Sequence, residues 1–389
     1  MNVKHICFLS AMHPSHDKRV FDKEAVYLAA AGFDVTHICP GDKEQTIVEK
    51  GVRSKVYPKP SGIRGRLLQL VRLYRMAKEA DADVYHCNEV DSWFVGVVLR
   101  IFRGKRCIFD VHEHYPSTFA ESRFPKVLQP AVAFCVRLVF LMLSPFTDFF
   151  VLAKKSVSSD FRVAKRKKVL VRNFTPLAAL RMSEESSPRK ATQEPECVRI
   201  VHLGLIGRAR GWPQILDAMA EIQQLNVQLE IIGEFNDNSE GEFKQRLIDL
   251  ELSDCVTLLD WMPFDQAFEH MRSAQIGLIV FQPGIRNHVF AMPHKMFDYM
   301  AAGMAVILPD FAVEVAPIVL ETGCGVVVNP ADSGDLAAKL SALIGDPGAM
   351  HEMGLRGQRA VKEKYNWDAE FSRLLEMYSA MQLRRPRAK

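Results

Sequence analysis

Long hydrophobic runs are missing from this sequence, and so is any close pairing of cysteines. No apolar stretch reaches the ~20 residues that a membrane-spanning helix needs. The strongest, Ala131–Leu143, is short and is interrupted by Arg137. Met1–Ala11 holds one lysine and a brief apolar run, Ile6–Leu9, without a small-residue cleavage site. It reads as a first buried strand and not as a secretory leader. The eight cysteines stand far apart, with no CxxC pair and no histidine at zinc spacing. That argues against a disulfide framework or a metal site and for buried free thiols in a reducing cytosol. A phosphate loop ending in GK[ST] is absent, as is a complete GxGxxG, which removes the usual ATPase and dehydrogenase fingerprints.

What is present is the composition of a soluble globular protein, 48% hydrophobic and 25% charged over 389 residues. That length suits two domains better than one core. The net charge of +4 hides an asymmetry. Met1–Phe174 holds 29 Lys and Arg against 17 Asp and Glu, a net +12, and the remainder is −8. One half therefore suits an anionic partner. Val3–Ser10 reads as a strand, Asp22–Ala31 as a helix closed by Gly32, Val35–Cys39 as a strand and Ile63–Ala80 as a helix. Strands follow at Val84–Cys87 and Cys107–Val111. A polar stretch, Ser183–Glu196, interrupts the alternation, which restarts at Val198–Leu203 and runs through Gly325–Val328. Strands separated by helices imply parallel sheets covered on both faces. The expected class is α/β, with two Rossmann-like domains facing a cleft: 1–182, a linker 183–196, 197–366, and a C-terminal helix within 367–389.

Leu203–Gly211 (LGLIGRARG) lies between an expected strand and an expected helix. Glycines let backbone N–H groups approach an anion, and a helix N-terminus favours negative charge. Arg208 and Arg210 add bidentate cations; a plain turn with solvated arginines is the alternative. Pro293–Gly303 (PHKMFDYMAAG) reads as a helix opened by Pro293 and stopped by Gly303. His294 and Lys295 then stand at its N-terminus, where dipole and cation suit a diphosphate. Asp298, one turn on, is placed to accept from a ribose diol; the alternative is an amphipathic helix with an Asp298–Lys295 pair. Phe109–Pro116 (FDVHEHYP) follows a strand, at the edge where α/β sites form. There His112 is a candidate donor to a sugar hydroxyl or leaving-group oxygen and Glu113 a candidate to orient an acceptor, with a structural histidine as the alternative. His86–Asp91 (HCNEVD) is a similar polar burst. Ile63–Lys78 sets Arg64, Arg66, Arg72, Arg75 and Lys78 among apolar residues, and Lys165–Lys168 adds a cationic run. A basic helix with an apolar face suits an anionic membrane surface. No recognised nucleic-acid module is present, so nucleic acid is not an expected partner.

In this order the motifs resemble those of the family 4 glycosyltransferases, retaining enzymes of the GT-B fold, over nearly the whole length. Asp17–Ala25 with Gly32–Thr36 looks like the family's opening loop, helix and second strand, and Asp110–Glu113 like its DxHE segment. Leu203–Gly211 is similar to the phosphate loop, and Pro293–Gly303 to the PxK…EYMAAG segment. The resemblance implies a nucleotide-sugar donor whose diphosphate is held by Arg208, Arg210 and Lys295. Its ribose and base fall to Asp298 and to the stretch Asp260, Trp261 and Met262, and its sugar meets His112. It implies that the C-terminal helix packs back on the N-terminal domain, and that no metal or other cofactor is required. On the acceptor side stand Glu113, Asn88, Glu89 and Arg19. Two departures matter. The family's EX7E acids would need carboxylates at 290 and 298, where Phe290 and Asp298 stand. Arg286, Asn287 or His288 then take the donor-sugar role, beside Pro293 and His294. Leu205 stands where the phosphate loop usually has arginine, so the choice between Arg208 and Arg210 is open. The expectation is a cytoplasmic hexosyltransferase, peripheral at the inner face of a membrane. It would move a sugar to a hydroxyl of a glycan or lipid-linked acceptor in cell-surface polysaccharide or glycoconjugate synthesis. A GT-B sugar-nucleotide epimerase and a degenerate nucleotide-sugar-binding scaffold are the alternatives.

Overall fold

The computed structural model describes residues 3–60, 62–121, 124–161, 167–185 and 197–383. The chain divides into two units, Met1–Asn173 with Asp368–Lys389, and Phe174–Trp367. The first boundary falls at Asn173 and not at the expected residue 182. The reason is apolar: Leu177–Glu185 is a helix, and its Ala179 and Leu180 are buried with Phe174 in the core of the second unit. The polar stretch read as a linker lies, from residue 186 to 196, outside the described residues.

Unit 1 holds β1 (His5–Leu9), β2 (Asp34–Gly41), β3 (Gln45–Glu49), β4 (Val52–Pro58), β5 (Val84–Cys87), β6 (Arg106–Val111), β7 (Phe149–Leu152) and β8 (Lys168–Leu170). They form one sheet in the order β3-β4-β2-β1-β5-β6-β7-β8, parallel except for the β3–β4 hairpin. Four of the five β1 residues, all of β5 and β7, and five of the six β6 residues are buried, as expected where helices cover both faces. Parallel crossovers are right-handed. The steps β4→β5, β5→β6 and β6→β7 run in one direction and β1→β2 in the other. The helices Gly62–Ala80, Val90–Arg103 and Gln129–Leu143 therefore cover one face, and the helical turn Val20–Ala30 the opposite face. On that opposite face Tyr27 meets Phe371, and Phe33 meets Tyr378, of the helix Trp367–Leu383. On the first face Trp93 stacks on Phe109 at 4.2 Å, with Phe140, Phe150 and Phe161 around it. Gly96 makes that approach possible, because a Cβ there would stand 2.4 Å from Cys87 Sγ and 2.9 Å from Cys107 Sγ.

Unit 2 holds β9 (Val198–Leu203), β10 (Val227–Ile232), β11 (Val256–Leu259), β12 (Ile276–Leu278), β13 (Ala305–Pro309) and β14 (Gly325–Val328). The order is β11-β10-β9-β12-β13-β14, parallel throughout. Two buried clusters make up its core, one holding Met296, Phe297 and Met300, the other Trp212, Ile215 and Leu216. Gly277 on β12 lies beneath the Tyr299 ring, where a Cβ would come within 2.4 Å. That contact sets the helix His294–Ala302 close to the sheet.

Candidate active site

In unit 2 the site grows from the loops that leave the strands' C-terminal ends. Gly204, after β9, has φ 99°, and Gly233, after β10, has φ 150°. A Cβ on Gly233 would strike the Gly204 carbonyl oxygen at 2.1 Å, so both loops depend on missing side chains. Gly211 (φ 83°) makes the same kind of approach to Val280, whose carbonyl oxygen would lie 2.2 Å from a Cβ.

Lys295 enters this region from the first turn of the helix His294–Ala302, which Pro293 opens in extended conformation and Gly303 closes in the left-handed one. Its Nζ lies 3.7 Å from where a Gly204 Cβ would be. The nitrogen is buried and makes no hydrogen bond. Burial, reinforced by the charge of Arg210, holds the ammonium well below the ordinary lysine range. The expected alternative, an Asp298–Lys295 pair, is not formed; Asp298 is buried further along the same helix.

Phe281 organises the cations. Arg210 lies over its ring at 4.8 Å and Lys295 at 5.7 Å, positions a ring quadrupole favours. His288 stacks on the same ring at 4.9 Å. Its Nδ1 donates to the Gln282 carbonyl oxygen at 2.9 Å, and burial, with Arg210 adding to it, lowers its pKa. His202 on β9 is held well below its ordinary value by burial and then by Lys295. The Lys295 ammonium, in the first turn of its helix, and the Arg210 guanidinium thus meet over one ring. An anion with several acceptor oxygens is what completes such an arrangement.

The remaining donor candidates scatter around this centre. Arg208 is not with Lys295: it pairs with Glu242 and lies over the Trp212 ring at 5.5 Å. Asp260 and Trp261 are exposed beyond β11, and Met262 packs against the core. Arg286 lies over Phe290 at 5.8 Å, while Asn287, Pro293 and His294 are half-buried.

Unit 1 offers a different kind of site. Arg19 is 3% exposed. It donates to both oxygens of Asp110 at 3.0 and 2.9 Å, to the Val171 carbonyl oxygen and to Asn173, and reaches Glu24 at 3.1 Å. A side chain so used is a structural cation, which corrects its reading as an acceptor contact. Asn88 is fully buried and donates to Leu9 and Ser10. Glu89 accepts from the backbone N–H groups of Ala11, Met12 and His13. Both shape the loop after β1 and are corrected on the same ground. Glu113 is exposed and accepts from Thr118.

His112 lies between partners, with Nε2 2.7 Å from Asp110 and Nδ1 3.2 Å from His13 Nε2. His13 in turn holds Asp17 at 2.9 Å. Burial alone would lower the His13 pKa, but the hydrogen bond to Asp17 and the charges of Asp17, Glu89 and Asp110 outweigh it and raise it to about 9. A charged His13 donates from Nε2, so His112 accepts at Nδ1 and donates from Nε2 to Asp110. Glu24, His86 and Asp110 are buried together with ligand-type atoms within 4.8 Å of one another. Arg19 already stands against both carboxyls, so the cluster balances its charge from within. Burial, then Asp110, raises Glu24 well above the usual carboxyl range. Burial also lowers His86 to about 4.

Sequence reasoning missed Phe281, His202, His13 and Asp17. Phe281 and His13 both follow β-strands at their C-terminal ends, which is the signal that was available.

Two family descriptions match the chain in order, Glycosyltransferase Family 4 over residues 19–151 and Glycosyl transferases group 1 over residues 198–346. The MMP alpha-(1->4)-mannosyltransferase of Mycolicibacterium hassiacum is 22% identical over 170 residues, 43% of this chain and 39% of that protein. The match thus spans well under half of that relative's length. The Anabaena Alr3699/HepE structure in complex with UDP is 12% identical, with TM-score 0.71 over 97% of this chain and 100% of its own. The sucrose-phosphate synthase of Thermosynechococcus elongatus is 16% identical, with TM-score 0.72 over 97% and 99%. At such identities the structures show the fold, which is GT-B. The chain belongs to the family 4 glycosyltransferases.

Proposed function

We propose that the chain transfers a sugar from a nucleoside-diphosphate sugar to a hydroxyl of a glycan acceptor, lipid-linked and presented at the anionic inner face of a membrane, with retention of configuration at the anomeric carbon. The observation that carries this reading is the buried, unpaired ammonium of Lys295 beside Arg210. The bond from the anomeric carbon to the diphosphate oxygen breaks, and the acceptor oxygen bonds to that carbon on the same face. The departing diphosphate takes the acceptor's proton, so no protein nucleophile is needed. Lys295 and Arg210 stabilise the charge that grows on the leaving oxygens, which is why the reading includes no metal. His112 is fixed through Asp110, and its Nδ1 contact with His13 is the longer of its two. A sugar hydroxyl competes for that nitrogen and is oriented by it. Trp261, exposed after β11, and Asp298 remain the residues assigned to base and ribose. UDP in the Anabaena complex and α-(1→4) mannosyl transfer in the mycobacterial relative's name support a nucleotide-linked hexose donor. The +12 charge of Met1–Phe174 supports the membrane surface.

The test is nucleotide release from UDP-, GDP- and ADP-sugars, with and without a membrane lipid extract. The reading expects release from one donor that rises with extract. Tight nucleotide binding with no release from any donor would make the chain a binding scaffold, and an altered free nucleotide sugar would make it an epimerase.

A further inference from the structure

Helices of a soluble domain carry one apolar stripe toward the core and a polar one toward water. Gln129–Leu143 in unit 1 departs from this. Phe140 is buried against Trp93 and Phe161, yet Phe134, Leu138, Leu141 and Met142 are exposed. Arg137 is its single charged residue, and it stands 3.6 Å from Asp160. Gln129–Phe146 has a mean hydropathy of 1.6 with only 11% of it buried.

We propose that this helix lies in the plane of an anionic phospholipid leaflet, its apolar stripe among the acyl chains, as the docking face of unit 1. The proposal deepens the membrane-surface reading given above and rests on it. A spanning role does not fit, because Phe140 ties the helix to the unit's aromatic cluster.

The neighbouring helices extend the same face. Gly62–Ala80 packs on Val90–Arg103, which packs on the turn that ends Gln129–Leu143. Leu67, Leu68 and Val71 are exposed on the first, and Phe94, Ile101 and Phe102 on the second. Of 22 exposed large hydrophobic residues among those described, 14 fall between Leu67 and Phe146. Scattered apolar residues need no explanation, but a concentration of this kind marks a surface for a partner.

Charge selects the partner. Arg64, Arg72, Arg75 and Lys78 are exposed on the Gly62–Ala80 helix. A second copy docked on the same face by two-fold symmetry would set this basic helix against its twin. A leaflet of acidic phospholipids receives both features, the basic side chains at the headgroups and the apolar stripe below them.

The test uses the full chain with vesicles of phosphatidylcholine alone or mixed with phosphatidylglycerol, sedimented at low salt and at about 1 M salt, where the screening length is about 3 Å. Expected is binding to the mixed vesicles that survives high salt. A Phe134→Ser/Leu138→Ser/Met142→Ser variant should lose at least tenfold of the salt-resistant fraction. Cys135 is the one exposed cysteine of the eight, and a polarity-sensitive thiol dye there should shift to the blue on the same vesicles. Binding that salt removes completely, with no dye shift, would overturn insertion and leave a purely electrostatic membrane surface. No binding to either vesicle would overturn both readings. A dimer in solution that the triple variant dissolves, without vesicle binding, would assign the face to a second copy and overturn the proposal.

Discussion

Both units bury charged side chains, but they treat them differently. In unit 1 Arg19 sits against Asp110, Glu24, Asn173 and the Val171 carbonyl, and Asp110 also holds His112. Burial works against the Asp110 carboxylate, yet Arg19 and then His112 hold it well below its usual range. In unit 2 the Nζ of Lys295 is buried with no hydrogen bond and with a second cation nearby. A balanced network holds a fold together, whereas an unbalanced one costs stability and is retained where a ligand balances it. The comparison therefore separates a charge paired within the fold from one left without a hydrogen bond, which polarity in the sequence alone does not do.

Breaking the unit 1 network should give the largest effect on stability. Arg19→Met leaves Asp110 buried without its guanidinium, and denaturant unfolding should show a loss of about 3–5 kcal/mol. A change of less than 1 kcal/mol would mean that the network does not support the unit. Lys295→Met should do the reverse, leaving thermal stability equal or higher while turnover falls about 100-fold or more. Its pKa is lowered on folding, so the unfolded chain binds the extra proton, and stability rises with pH from the lowered value up to the ordinary 10.5. Lys295→Met should flatten that rise.

His13 sharpens the comparison at intermediate size. Its folded pKa is raised from 6.5 to about 9. The stabilisation is then complete below 6.5 and lost as pH rises through about 9, up to about 3 kcal/mol. Proton NMR titration of the imidazole checks it, and a midpoint near the ordinary histidine value would remove His13 from the network. The smallest effect is expected for Arg208→Ala. Its side chain is paired with Glu242 at the surface, so stability should move by less than about 0.5 kcal/mol, and nucleotide affinity by only a few-fold. A loss equal to that of Lys295→Met would show that Arg208 leaves Glu242 when the donor binds.

The parallel sheets were legible because their strands are continuous apolar runs, and the turn after β9 because glycines cluster between a strand and a helix. The β3–β4 hairpin was not, because no residue of β3 is buried and polar Ser54 stands on the buried face of β4 between Arg53 and Lys55, even though Lys50 and Gly51 turn with positive φ. Arg19, Asn88 and Glu89 were misread for one physical reason: a polar residue after a strand looks the same in sequence whether it faces substrate or supports a loop. Phe281 was hidden in the opposite way, since a phenylalanine at the end of an apolar run reads as core. The Gln129–Leu143 helix was legible as apolar, but its exposure is a property of packing.

The central claim is that Lys295 is an unpaired cation waiting for a diphosphate. Calorimetric titration of UDP, GDP and ADP into the wild type and Lys295→Met tests it most directly. One nucleoside diphosphate should bind the wild type, and bind the variant at least about 30-fold more weakly, a cost of about 2 kcal/mol, with the variant's melting temperature unchanged or higher. Equal affinity in the two proteins, with both folded, would contradict the account.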